Sequence, residues 1–319
     1  MIDPSESRIV RSHHADVVSA ARRIRSHVHR TPVVTSERLN DMAGAELFFK
    51  CENLQKTGAF KIRGAMNAVL SLGETDRRMG VATHSSGNHG AALASAARVV
   101  DAPAWIVVPE TATRFKRANI ERYEGCIVAC GPTLADREAK LEEVLAETGA
   151  TFVPPYDHDD VIAGQGTLGL ELVEQVDDLD YIWLPVGGGG MAAGVVAAVG
   201  ETSVEVCGVE PVLAGDAAQS LARGVRQGPM PPTTIADGLL TGLGRRNFER
   251  LMAYGLRITL VDDTEIVSAM RMLWACLKLV VEPSGAVAFA AVLQARPRGR
   301  VGIVLSGGNV ELDLASADD

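Results

Sequence analysis

The chain has 319 residues, of which 47% are hydrophobic and 22% charged, and its net charge is −9. That length allows a large core and about two domains, and the composition is that of an ordinary soluble globular protein. No long basic run is present, which excludes a nucleic-acid footprint or a patch for an anionic membrane.

In chain order, Met1 to Asp16 is polar with charges of both signs and lacks the apolar core of a secretion signal. The first informative segment is Lys56-Thr57-Gly58-Ala59-Phe60-Lys61-Ile62-Arg63-Gly64-Ala65. It places Lys61 just after a glycine turn, at the start of an expected helix. The positive end of the helix dipole disfavours a protonated amine there, so a neutral nucleophile is more available. Such a lysine suits a Schiff base to an aldehyde cofactor, although a lysine at a helix start is also an ordinary solvated residue. Val81-Ala82-Thr83 reads as a strand, followed by His84-Ser85-Ser86-Gly87-Asn88-His89-Gly90 and a helix from Gly90 to Val99. Small polar residues at a strand's C-terminal end, beside a helix N-terminus, suit a carboxylate. They also make good helix caps.

Ala104 to Pro109 and Ile127 to Ala129 read as further strands, and Leu134 to Glu147 as a helix. Cys126 and Cys130 are the only close pair among five scattered cysteines. Without a second pair or a His-x-x-x-His they do not make a zinc site. The odd, sparse set fits reduced thiols, hence a cytoplasmic protein. Tyr181 to Gly200 is uncharged and long enough to cross a bilayer. Pro185 and the glycines Gly187, Gly188, Gly189 and Gly190 would break a spanning helix. A buried strand to Val186, a glycine loop and a helix from Met191 to Val199 explain it better. Four glycines let a backbone wrap closely around a group, and a phosphate at a helix N-terminus is the natural guest. Val204 to Val209 is a strand, followed by Glu210-Pro211-Val212-Leu213-Ala214-Gly215-Asp216. Two carboxylates six apart around a loop, plus the carbonyl of Ala214, suit Mg²⁺, Mn²⁺ or Ca²⁺; isolated carboxylates are also common surface charges. Gly228 to Pro232 is a surface loop, Gly302 to Leu305 a strand, Ser306-Gly307-Gly308-Asn309 a turn, and Asp313 to Asp319 an acidic tail. Short apolar strands alternating with helices argue for parallel sheets covered on both faces.

In this order, these motifs resemble the fold-type II family of pyridoxal-phosphate enzymes, in its serine/threonine dehydratase and serine racemase branch. The resemblance runs from Arg30-Thr31-Pro32-Val33 to Ser306-Gly307-Gly308-Asn309. It implies an α/β architecture similar to the tryptophan synthase β chain, with two open, twisted, mostly parallel sheets flanked by helices. A large cofactor domain would comprise 1–72 and 156–319, and a small mobile domain, 73–155, would close over substrate. The cofactor would be pyridoxal 5′-phosphate. By resemblance, Lys61 carries it and then serves as base at the substrate Cα, with Phe60 beside its ring. Asn88 meets the ring 3′-oxygen, Gly187 to Gly190 with Met191 hold the phosphate, and Ser306 meets the pyridine nitrogen. A hydroxyl there makes a weaker electron sink than a carboxylate partner, which favours prompt loss of a β-leaving group. Ser85, Ser86, Asn88 and His89 would cradle the substrate carboxylate. Gly238, in Thr234 to Gly238, and Glu282, in Glu282 to Ala286, would line the cleft; turn and helix start are their plain readings.

Two residues bear on the reaction. Ser86 would face Lys61 across the substrate, so racemisation becomes possible, although hydroxyaspartate dehydratases resemble the same branch. Arg137 has no acidic neighbour at helical spacing. It matches an arginine that closes on a substrate's distal group, and a second carboxylate is its best partner. The resemblance also implies a divalent ion at Glu210, Ala214 and Asp216, and a homodimer. Ala59 replaces a frequent serine. Ala91 stands where the mammalian racemase type has a glutamine of a nucleotide site, so ATP activation is not expected. With the chain ending soon after Asn309, feedback by isoleucine is not expected either. The reading is loss of water from a β-hydroxy amino acid, 3-hydroxyaspartate before L-serine or L-threonine, giving a 2-oxo acid and ammonia. An amino-acid racemase using Lys61 and Ser86, and a non-catalytic cofactor-binding protein, are the alternatives.

Overall fold

The computed structural model describes residues 4–85, 87–200, 202–231 and 233–311. The chain begins with α1 (Pro4–Ile24), β1 (Val33–Val34), α2 (Glu37–Ala43), β2 (Glu46–Lys50), α3 (Lys61–Ser71) and α4 (Glu74–Met79). Four strands and their crossover helices follow: β3 (Val81–His84), α5 (Asn88–Val99), β4 (Ala104–Pro109), α6 (Arg114–Glu121), β5 (Cys126–Cys130), α7 (Leu134–Thr148) and β6 (Thr151–Phe152). The remainder comprises α8 (Asp159–Gln175), β7 (Tyr181–Pro185), α9 (Gly190–Val199), β8 (Glu205–Pro211), α10 (Asp216–Arg223), α11 (Arg245–Tyr254), β9 (Arg257–Val261), α12 (Asp263–Met272), α13 (Pro283–Ala295) and β10 (Arg300–Val304).

The strands form two sheets, one of order β1-β2-β10-β7-β8-β9 and one of order β5-β4-β3-β6. Every pairing is parallel except β1 with β2 at one edge. This is the expected α/β class. The strands read from apolar runs are present, with ends within two residues of those expected. The apolar runs named from sequence do not include β1, β2, β6 or β9, and the helical patterns named from sequence do not include α1, α2, α4, α6, α8, α10, α11 or α12. Leu47 and Phe49 of β2 are fully buried, but the polar ends Glu46 and Lys50 mask the run. Strand β9 carries Arg257 at an edge, where one face stays wet.

The uncharged stretch from Tyr181 to Gly200 is β7, a loop and α9. All residues of α9 are buried, so it is apolar on every side because it lies in the core. Among the described residues no helix is long and apolar enough to cross a membrane. Helix α7 starts on a capping box in which Thr133 and Asp136 satisfy each other's backbone N–H. All four strands of the smaller sheet lie within 73–155. Helix α3, just before that segment, packs Ile62, Ala65, Met66 and Val69 into the same core as Leu93 of α5 and Ile106 of β4.

Parallel strands deliver their C-terminal ends to one side of a sheet, where open α/β proteins bind ligands. The ends of β3, β7, β8 and β10 lead, among the described residues, into 85 and 87, 186–189, 212–215 and 305–309. Each loop corresponds to one of the motifs read from sequence.

Candidate active site

Lys61 is the first residue of α3, as the glycine turn predicted. The preceding turn is strained, because buried, β-branched Thr57 adopts φ 65° and ψ 7°. The turn is clamped to the loop after β10: Phe60 N donates to Ser306 O (3.0 Å) and Gly308 N to Gly58 O (2.9 Å). The Lys61 ammonium donates to Pro155 O (2.8 Å) and lies 5.3 Å from the Phe60 ring centre and 6.0 Å from that of Tyr156. Burial lowers its pKa to about 8, against the pull of the Glu282 carboxylate, which raises it. The nucleophile is therefore prepared chiefly by desolvation rather than by the helix dipole invoked from sequence.

Arg63, one turn-half further on, explains why α3 sits where it does. It is fully buried and donates from Nε and Nη2 to both oxygens of Glu52, each at 2.8 Å. Its Nη1 and Nη2 reach both oxygens of Glu171 on α8 at 2.7 and 2.8 Å. Lys50 of β2 donates to Glu171 (2.7 Å), to Gln175 (2.7 Å) and to Thr31 O (3.0 Å). Two cations and two carboxylates thus balance beneath the lysine. Burial alone would raise the Glu52 carboxyl, but Arg63, Lys50 and Thr31 hold it below its ordinary value. The sequence carries no signal for this network, since a charged residue's burial depends on what packs over it.

Asn88 opens α5. Its Nδ2 donates to Glu282 Oε1 and its Oδ1 accepts from Asn309 Nδ2, both at 2.8 Å. Glu282, at the start of α13, is 5% exposed. Burial, with Asp237 nearby, raises its pKa to about 8, against the hydrogen bonds from Asn88 and Asn309 N–H. Ser306 is buried, and its carbonyl accepts from Phe60 N–H. The fold therefore brings Phe60, Lys61, Asn88, Glu282 and Ser306 to one place, from four distant segments.

The glycine loop flanks this group. Gly187 to Gly190 are buried, and the N–H groups of Gly187, Gly188 and Gly189 find no protein acceptor among the described residues. Buried backbone N–H groups are rarely left unpaired, so three together fit an anion such as a phosphate. Added side chains would not fit. A Cβ on Gly188 would collide with the Tyr156 ring, and one on Gly189 would come 2.5 Å from Leu243 Cδ1. Gly189 also adopts φ 84°. Its neighbour Gly190 begins α9, and Met191 points its buried side chain into the core. Asn247 holds the loop by donating to Gly188 O (2.7 Å). Tyr156, which the sequence reading missed, lies between Lys61 and this loop.

Four other expected residues divide. Ser85 is partly buried in the loop after β3. Ser86 lies outside the described residues. His89 is 2% exposed, its Nε2 bonds Val153 O (3.0 Å), and burial with Lys61 nearby lowers its pKa to about 3. A carbonyl only accepts, so Nε2 carries the proton and Nδ1 has none to give. Its imidazole therefore cannot cradle a carboxylate by donation, which corrects the expectation for that side chain. Arg137 is partly exposed on the first turn of α7. Among the described residues its side chain makes one hydrogen bond, a long one of 3.4 Å from Nε to Thr133 O. Burial and then the Arg137 charge lower the His84 pKa, and α7 packs Leu141 and Val144 into the same core as Ala82 of β3.

Gly238 is exposed, with its N–H donating to Ser284 Oγ (2.9 Å), and neighbouring Leu239 packs beside Gly187. The acidic pair formed by Glu210, near the end of β8, and Asp216, at the start of α10, is buried. Glu210 accepts from Ala217 and Ala218 N–H (3.1 and 2.8 Å), and Asp216 accepts from Leu243 N–H (3.3 Å). Burial raises their pKa values to about 8 and about 6. Ala214 is buried beside them in the chain. Among the described residues no group of three His, Cys, Asp or Glu side chains gathers as a metal site.

A family model described as pyridoxal-phosphate dependent enzyme matches residues 24–307. The chain belongs to that pyridoxal-phosphate-dependent enzyme family. Within the family it is 45% identical to the beta-hydroxyaspartate dehydratase of Paracoccus denitrificans, over 93% of this chain and 96% of that one. It is 46% identical to the serine racemase of Arabidopsis thaliana, over 93% and 94%. The structure of maize serine racemase superposes with a TM-score of 0.92 at 42% identity, covering 94% of each chain. The unpaired N–H groups and the desolvated lysine fit the family's cofactor.

Proposed function

We propose that this enzyme eliminates water from a β-hydroxy amino acid, with 3-hydroxyaspartate its preferred substrate. In this reading Lys61 holds the cofactor beside Phe60, Asn88 meets the ring oxygen and Ser306 the ring nitrogen. Gly187 to Gly190, at the N-terminus that Met191 continues, hold the phosphate. The bound cofactor supplies an electron sink that acidifies the substrate's Cα–H. With a pKa near 8 instead of the 10.5 of an ordinary lysine, a much larger share of Lys61 Nζ is neutral near neutral pH, about a tenth at pH 7, and that neutral amine accepts the proton. Once charged, it can pass the proton to the departing hydroxyl, so water rather than hydroxide leaves. The enamine product then hydrolyses to a 2-oxo acid and ammonia. Ser85 and backbone N–H groups at the start of α5, that of Asn88 included, bind the substrate carboxylate.

The observation that carries the substrate choice is Arg137. Its charge is felt at His84, at the end of β3, and its guanidinium has no acidic partner among the described residues. A planar fork of donors prefers a carboxylate, and hydroxyaspartate offers a second one. The Paracoccus relative's name supports this choice. The 73–155 segment would act as the mobile small domain that brings Arg137 onto substrate. Buried Glu210 and Asp216, with the Ala214 carbonyl, would take Mg²⁺, Mn²⁺ or Ca²⁺ in a structural role, because burying two carboxylates without a cation is costly. Gly238 would border the cleft through its contact with Ser284. A cytoplasmic homodimer is part of the same reading.

The test is 2-oxo acid release from L- and D-serine, L-threonine and the 3-hydroxyaspartate stereoisomers. Arg137→Ala should selectively lower kcat/KM for hydroxyaspartate by about 100-fold, the loss of a charge-assisted pair. Equal loss for serine would remove Arg137 from this role. A second reading is amino-acid racemisation, favoured by the 46% identity to a serine racemase. Chiral analysis of residual substrate, with Ser86→Ala as the control, separates the two. Lys61→Ala should abolish either activity.

A further inference from the structure

We propose that Asn309 is a positioning residue that decides which way the Asn88 amide faces. The inference rests on the reading that Asn88 contacts the cofactor's ring oxygen. Asn309 ends the loop after β10, and no role had been assigned to it from the sequence. Its Nδ2 donates to Thr57 O (2.7 Å) and to Asn88 Oδ1 (2.8 Å). A main-chain carbonyl can only accept, so the nitrogen end of the Asn309 amide must be the end that faces Thr57. That nitrogen has two protons. The second points at Asn88, and only Oδ1 of Asn88 can accept it. Asn88 Nδ2 is thereby turned toward Glu282 Oε1 (2.8 Å), while Glu282 Oε2 accepts the Asn309 backbone N–H (3.1 Å). Orientation thus passes from a fixed backbone carbonyl through two amides to a carboxyl group.

The consequence lies in the proton that remains. Asn88 Nδ2 carries two protons and gives one to Glu282, which leaves one donor for the cofactor's ring oxygen. If the amide were reversed, an oxygen would face that oxygen, and attraction would become repulsion. Gly58 keeps the arrangement in place. A Cβ there would collide with Asn309 Oδ1 and come 2.9 Å from its Cγ, so only glycine leaves room for the amide. Asn309 acts through Asn88 and is not a catalytic residue.

Asn309→Asp tests this with almost no change of shape. An ionised carboxylate only accepts, so it cannot donate to Thr57 O or to Asn88 Oδ1, and it attracts Asn88 Nδ2 to itself. Asn309→Asp should weaken binding of pyridoxal 5′-phosphate to the apoenzyme by about tenfold or more, the worth of a reversed hydrogen bond. It should also shift the visible absorption of the bound cofactor. Asn88→Ala should show a comparable loss. Adding Asn309→Asp to Asn88→Ala should then cost less than about twofold more, because the two act as one unit. Asn309→Ala, which removes the donor without adding a competing acceptor, should fall between wild type and Asn309→Asp, and it serves if the aspartate variant does not fold. Losses that multiply in the double variant would overturn the proposal. So would an Asn309→Asp protein with wild-type affinity and spectrum, and in that case a loss in Asn88→Ala would keep the site reading intact. An Asn88→Ala protein that binds and absorbs as wild type would overturn both.

Discussion

Arg63→Met should destabilise the apoenzyme severely, and the reason is charge balance rather than the number of hydrogen bonds lost. In the native protein Arg63 and Lys50 face Glu52 and Glu171, with Arg63, Lys50 and Glu52 fully buried. Removing Arg63 leaves one cation for two carboxylates, and Glu52 loses both of its guanidinium bonds. Breaking one side of a buried pair costs about 3–5 kcal/mol, most of it the penalty of the stranded charge. Glu171 is 17% exposed, so solvent offsets part of its share. The cost therefore concentrates on Glu52, which keeps only the Thr31 hydroxyl (2.6 Å) as a direct partner. The assay is urea unfolding of the apoenzyme at pH 7, followed by circular dichroism and tryptophan fluorescence together. Glu52→Gln added to Arg63→Met restores one cation to one carboxylate. The double variant should thus recover at least about 1 kcal/mol over Arg63→Met alone. A loss below about 1 kcal/mol for Arg63→Met, or a deeper loss in the double variant, would refute this account.

The Lys61 amine should govern how fast the apoenzyme takes up its cofactor. Only the neutral amine attacks an aldehyde, so the uptake rate should rise with pH to a midpoint near 8, instead of the 10.5 of an ordinary lysine. Glu282→Gln removes the carboxylate that raises this pKa, so its midpoint should fall below the wild-type value; an upward move would contradict the assignment. Gly188→Ala should cut cofactor affinity by about tenfold or more, because the new methyl meets the Tyr156 ring. Tyr156→Ala in the same chain should return part of that loss by making room, and no recovery would place the damage elsewhere. Saturating Mg²⁺ or Ca²⁺ should raise the Tm of the wild-type apoenzyme by about 5 °C, reversed by chelator. Glu210→Gln with Asp216→Asn should remove that rise, and an unchanged rise would put the ion at another site.

Much of this protein is readable in its sequence. The alternation of apolar strands with helices fixes the parallel α/β class, because a strand buried on both faces must be apolar throughout. Glycine runs and small polar loops mark the strand ends, where only residues without bulk let a backbone close around a ligand. Lys61, Asn88 and Gly187 to Gly190 stand out on those grounds, whereas Ser306 lies in what reads as a plain turn and is singled out only by the family resemblance. What only the tertiary structure decided is which groups meet across the chain. Tyr156 beside Gly188, Asn309 between Thr57 and Asn88, and Arg63 between Glu52 and Glu171 join segments up to 252 residues apart. Periodicity and composition describe neighbours along the chain, whereas burial and hydrogen bonding depend on neighbours in space. For the same reason the sequence reading made His89 a carboxylate ligand. Its identity allows that role, but the Val153 carbonyl packed against it takes the one proton it has to give.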